Sequence, residues 1–135
     1  MTDGPAQILY EYLTASGTDL YTLCGVRCWL GQAPKNANWA NDDPALVFDL
    51  VSDRLSASGN RRECQFSVRT YGGSDNPDDV ETVCEALVDR LGRARRTTLT
   101  SGKLERGELV RSLLGLRDPD TEWPYAVMEF EVDFS

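Results

Sequence analysis

Cys24 and Cys28, in "LCGVRCWLGQAP", are the first residues in this chain whose type and spacing could do chemistry. Two thiols that close can be half of a metal knuckle or half of a redox pair. The chain has two further cysteines, Cys64 and Cys84, and no histidine. The lack of histidine removes the commonest general base, the Ser-His and Cys-His nucleophile pairs, and every mixed His/Cys zinc set. An all-cysteine zinc ribbon wants two tight knuckles on turns, and neither the 24/28 nor the 64/84 spacing supplies one. Cys64 stands in the apolar register of an alternating segment and Cys84 on an apolar helical stripe, both places for a small hydrophobe. The sequence therefore predicts no metal, no disulfide, and cysteines used as packing.

Other chemistry is equally sparse. Carboxylate pairs occur at Asp42-Asp43, Asp78-Asp79 and Glu129/Glu131, but in a loop, at a helix start and on a solvent face, where charge stays hydrated. The Gly72-Gly73 pair precedes a helix and could cradle an anion in principle. Asp75, Asp78 and Asp79 beside it would repel a phosphate, which favours a plain turn. No phosphate-binding loop, dinucleotide fingerprint or calcium-loop pattern is present. The expectation is a chain with no catalytic residues and no cofactor.

Charge narrows the partners. Net charge is −8, with seven acids and three bases in residues 1–60, and eight acids and three bases in 104–135. The middle, 61–103, carries eight bases against seven acids, including Arg93, Arg95, Arg96 and Lys103 close together. An acidic chain is poorly suited to gripping nucleic acid, whose affinity comes mainly from phosphate neutralisation. The basic cluster, lacking an aromatic platform, reads as pairing with acidic surfaces, its own or a neighbour's, ahead of DNA. No apolar run approaches the roughly 20 residues that cross a bilayer. The first residues, "MTDGPAQILYEYL", do not read as a signal peptide, so the expected place of synthesis is the cytoplasm, with reduced thiols.

At 135 residues the chain is expected to be a single domain, 1–135. Pro5–Ser16 reads as an amphipathic helix, and Arg27–Leu30 as a short strand. Residues 31–44, "GQAPKNANWANDDP", read as a long loop, which in a compact domain is usually functional or an interaction arm. Trp39 within it either folds back over the core or anchors a neighbour. Ala45–Ser52 and Glu63–Tyr71 read as strands joined through a tip at Gly59-Asn60. Pro77–Leu91 is the clearest helix, with Val80, Val83, Cys84, Leu87, Val88 and Leu91 on one stripe. A basic loop, 93–103, leads to a strand near Leu104–Leu116, where Gly107 and Gly115 could mark bulges. In the last strand Ala126, Met128, Phe130, Val132 and Phe134 point one way, and Glu129, Glu131 and Asp133 the other. Two one-faced helices over a mostly antiparallel sheet make an α+β two-layer sandwich.

The order of "ILYEYLTASGTDLYTL", "CGVRCWLGQAP", "ALVFDLVS", "CQFSVRTYGGSD" and "DDVETVCEALVDRLG" resembles the tail terminator, or tail completion, proteins of tailed phages. These also occur in prophages and in phage-like particles, gene transfer agents among them. Gly25, Arg27, Ala33-Pro34 and the segment from Gln65 fit the family's frame across Ala6–Leu91. Cys24 and Cys28, where aliphatics are usual, and the Trp-bearing loop depart from it. The resemblance implies a virion structural protein that is not an enzyme. It would form a ring with itself, usually of six, cap the tail tube, end its polymerisation and dock the neck protein of the head. DNA would pass through the channel without specific binding, past acidic residues. Pro34, Lys35, Asn36 and Trp39, and Arg93, Arg95, Arg96 and Lys103, are the interface candidates. A head-completion or stopper protein is the first alternative, and a small cytosolic ligand-binding domain the second.

Overall fold

The computed structural model describes residues 4–32, 43–57, 59–119 and 122–135. Pro5 opens α1 (Pro5–Leu13), where its missing amide costs nothing, and Ile8, Leu9, Tyr12 and Leu13 form the buried face. The helix ends at Leu13 instead of the predicted Ser16: Thr14 makes the last bond to the Tyr10 carbonyl but leaves helical dihedrals at ψ 11°, and Gly17 at φ +86° turns the chain away. A second helix, α2 (Asp19–Cys24), was not foreseen; the Thr18 hydroxyl caps it by accepting from the Tyr21 amide at 3.0 Å. Six residues are too few to display a helical period, so only the Thr-Asp cap announces it. Gly25, at φ +56°, ends α2 and bends the chain into β1 (Cys28–Leu30).

The remaining elements are β2 (Ala45–Leu55), β3 (Arg62–Tyr71), α3 (Pro77–Leu87), a wider π turn (Val88–Gly92), β4 (Arg95–Thr98), β5 (Lys103–Arg117) and β6 (Pro124–Phe134). They form one six-stranded sheet in the order β1-β2-β3-β6-β5-β4. All neighbours are antiparallel except β1 and β2, which run parallel. The expected α+β layering is present, with three helices on the covered face in place of two. Among the described residues no helix is long and apolar enough to cross a membrane.

The alternation read from β3 and β6 decides which face is covered. Phe66 stands opposite Phe130, Val68 opposite Met128, and Cys64 opposite Val132, all buried against the helices. Phe48 and Phe134 flank Phe66 at ring-centroid distances of 6.1 and 6.2 Å. Each such ring removed from water contributes about 1.5–3 kcal/mol.

Three strand expectations are corrected. β2 runs past Ser52 to Leu55 after a register shift between Leu50 and Ser52. The segment 93–103 is no continuous loop, since 95–98 form β4. Gly115, at φ +73°, lies in an irregularity between Leu113 and Leu116, but Gly107 pairs regularly with Val132 and marks no bulge. A Cβ on Gly107 would stand inside 3.0 Å of the Leu91 carbonyl oxygen, so the residue is small because the π turn presses on it.

Candidate interaction surfaces

Of the first interface group, Pro34, Lys35, Asn36 and Trp39 lie outside the described residues. Both ends of the segment that carries them are pinned. Arg27 donates from Nη2 to the Leu23 carbonyl at 2.8 Å and from Nε to the Pro44 carbonyl at 2.9 Å, joining the end of α2 to the start of β2. At the near end, the Gly31 amide donates to the Phe48 carbonyl at 2.9 Å and Arg69 donates to the Gly31 carbonyl at 2.8 Å. At the far end, Gly73 has φ +80°, and a Cβ there would run into the backbone of Asp43 and Pro44 at 2.6–2.7 Å. Gly72-Gly73 therefore serve close packing; a Cβ on Gly72 would strike Val80 and Asp79 at the start of α3. Asn76 caps that helix, its side chain accepting from the Asp78 amide at 3.0 Å.

The second group is split by the fold. Arg93, just past the π turn, pairs with Asp89 at 3.8 Å. Arg95 and Arg96 stand exposed on β4, the edge strand; Arg96 reaches Glu105 at 3.4 Å, and Arg95 donates to the Ala94 carbonyl at 3.0 Å. Lys103 begins β5 and is partly exposed. The basic cluster thus spends part of its charge on acids of its own chain. The 99–102 turn is closed by Leu99 donating to the Gly102 carbonyl at 2.7 Å. Glu11 of α1 holds this turn by accepting from the Thr100 and Ser101 amides at 2.7 and 2.8 Å, and from the Ser101 hydroxyl. The Ser101 hydroxyl bond, followed by those amides, keeps the Glu11 carboxyl below its ordinary pKa.

Arg90 plays a part that its place beside the basic run concealed. Its guanidinium lies 3.6 Å from the centroid of the Tyr12 ring and donates twice to the Tyr12 carbonyl, at 2.9 and 3.1 Å. The Tyr12 hydroxyl donates back to the Arg90 carbonyl at 2.9 Å. This interlock ties α1 to the π turn, 78 residues apart in sequence. The four cysteines are free and buried. Burial pushes the thiols of Cys24, Cys28 and Cys64 up to about 12 and raises that of Cys84. Raised so, they are protonated at neutral pH; Cys64 donates to Asp53 at 3.4 Å, and Cys84 shares a hydrogen bond with Thr70 at 3.2 Å.

Two further surfaces stand out. The sheet face away from the helices buries Ala45, Val47 and Tyr71 at one end and elsewhere carries pairs of opposite charge: Arg54 with Glu63 at 2.8 Å, Arg111 with Glu129 at 2.8 Å, Arg106 with Asp133 at 3.5 Å, and Asp49 with Arg69 at 4.0 Å. Of the acids read on that face of β6, Glu129 and Asp133 meet arginines, whereas Glu131 lies between Gln65 and Glu108. Beneath α3, a groove of about 650 Å3 is lined by Val80, Cys84, Leu109 and Met128, with Glu81 and Glu85 among its walls. A cleft of this size with a mostly apolar lining and a few charged groups at its wall takes apolar groups, whether side chains of a partner or a small molecule.

The sheet, its one covered face and its exposed edges define an open-sheet α+β fold whose candidate sites are contact surfaces. No protein-family model matches the chain, and no curated protein sequence does. Among solved structures, a chain of "Virion of native gene transfer agent (GTA) particle" is similar to it with a TM-score of 0.66 and 18% identity. The similarity covers 93% of this chain and 90% of that one. At that identity the likeness is one of fold.

Proposed function

We propose that this chain is a structural protein of a phage-like virion, and within it the tail terminator. On this reading several copies, six by the family resemblance, form a ring on the finished tail tube, stop its growth and present a surface to the neck of the head. The observation that carries the reading is the fold likeness to a gene transfer agent virion chain over 93% of the length. The ordered motifs from Ala6 to Leu91 point the same way, and surfaces built for contact are what such a role requires. The charge pairs on the sheet face away from the helices support DNA passage without retention, because their arginines are already engaged by acids.

Inactivating the gene tests this. Loss of a terminator leaves overlong tubes and filled heads without tails. Tails of normal length beside heads that leak DNA would instead assign the chain to the stopper position. Unaltered particles would remove it from the virion.

A further inference from the structure

Two strands hang half out of the protomer, at opposite edges of the sheet and opposite ends. β2 buries Ala45–Phe48, where β1 pairs with it, and then runs from Leu50 to Leu55 with every residue exposed. β5 buries Leu104 and Gly107 beside β4, and then runs from Val110 to Gly115 with every residue exposed. Beyond Phe48 and beyond Arg106, the outer side of each strand pairs with no strand among the described residues. Val51 is 58% exposed, Leu55 65%, Val110 48% and Leu114 65%. An edge of unpaired amides and carbonyls flanked by aliphatics is a template for another strand. Neither free half carries the proline or lysine that commonly blunts one.

The two halves fit each other better than they fit themselves. β2 runs from Ala45, opposite Tyr71, toward Leu55, opposite Arg62; β5 runs the other way, from Leu104, opposite Phe134, to Arg117, opposite Pro124. Laid edge to edge between two copies, they pair antiparallel, head to tail. Residues 49–55 hold two acids and one base, whereas 108–117 hold two bases and one acid. Most of these charges are paired within the chain, Asp49 with Arg69, Arg54 with Glu63 and Arg111 with Glu129. What each half offers a neighbour is its net charge, −1 on one and +1 on the other, which favours unlike edges over like ones. Such a contact is heterologous, and it closes into a ring when the rotation per copy allows. Each free half also contains a register shift, the kind of irregularity that adds twist and bends a sheet.

We propose that neighbouring copies join by these half-edges, residues 49–55 of one against 108–117 of the next, so that the sheet continues from subunit to subunit. The proposal rests on the ring reading above and names the surface that makes the ring. Val51→Cys combined in one chain with Val110→Cys, Ser112→Cys or Leu114→Cys tests it by mild oxidation of the purified protein. At least one double variant should give a cross-linked ladder ending at the ring size, while the single variants give none. Val51→Lys and Leu114→Lys, both at exposed positions in the protomer, should each convert the ring to monomers in light scattering while the far-UV circular dichroism stays that of the wild type, the melting temperature falling only by what the lost association contributed. Dimers from Val51→Cys alone would overturn the head-to-tail pairing. A ring that survives both lysines and cross-links in no double variant would overturn the edge assignment and leave the ring standing. A wild-type chain that is monomeric even at millimolar concentration would overturn the ring itself.

Discussion

At the scale of single residues, Arg90 ties two elements that are distant in sequence. Arg90→Met keeps the aliphatic stem but removes the contact over Tyr12 and both bonds to its carbonyl. The expected cost is about 1–3 kcal/mol, read as a lower urea midpoint. An unchanged midpoint would show that the interlock contributes nothing. Glu11 gives a pH signature. Its folded pKa is lowered, so its contribution is present above the ordinary carboxylate range and is lost as pH falls through the lowered value. Amide exchange at Thr100 and Ser101, corrected for intrinsic rates, should rise relative to the centre of β6 as pH is taken down through that window. Glu11→Gln should flatten this dependence. The buried, protonated cysteines make a third expectation: a thiol reagent at neutral pH should label the native protein only as fast as it opens, and all four sites in denaturant.

At the scale of elements, two glycines of β5 separate packing from conformation. Gly107→Ala drives a methyl into the Leu91 carbonyl and should cost about 2–3 kcal/mol. Gly115→Ala meets open space but must hold φ +73°, and should cost about 1 kcal/mol. Equal losses in urea midpoint would contradict this division. The same contrast explains what could be read from the sequence. β3, β6 and α3 were legible because their apolar residues repeat over whole elements at periods of 2 and 3.6. α2 and β4 were not, being too short to repeat. The reach of Arg90 to Tyr12, the clamp of Arg27 across β1, and the tie from Glu11 to the 99–102 turn are long-range contacts that leave no local pattern. Arg93, Arg95 and Arg96 looked like one basic patch in the sequence. They became separate sites once β4 formed and two of them met Asp89 and Glu105.

At the scale of the whole molecule, a chain with net charge −8 presents one sheet face to its own helices and carries on the other several pairs of opposite charge beside the buried Ala45, Val47 and Tyr71. Among the described residues most of the exposed aliphatics lie on β2 and β5, with Val26 just before β1 and Leu30 at its end. On the proposed reading the edges of β2 and β5 are where copies of the chain meet, and that reading stands or falls in the assembled tail. The most direct measurement is the length distribution, by electron microscopy, of tail tubes assembled from purified tube protein with and without this chain. Growth should stop at tubes bearing one ring of this protein at a single end. Tubes that grow to the same lengths in its presence, or that bind it along their sides, would contradict the assignment as terminator.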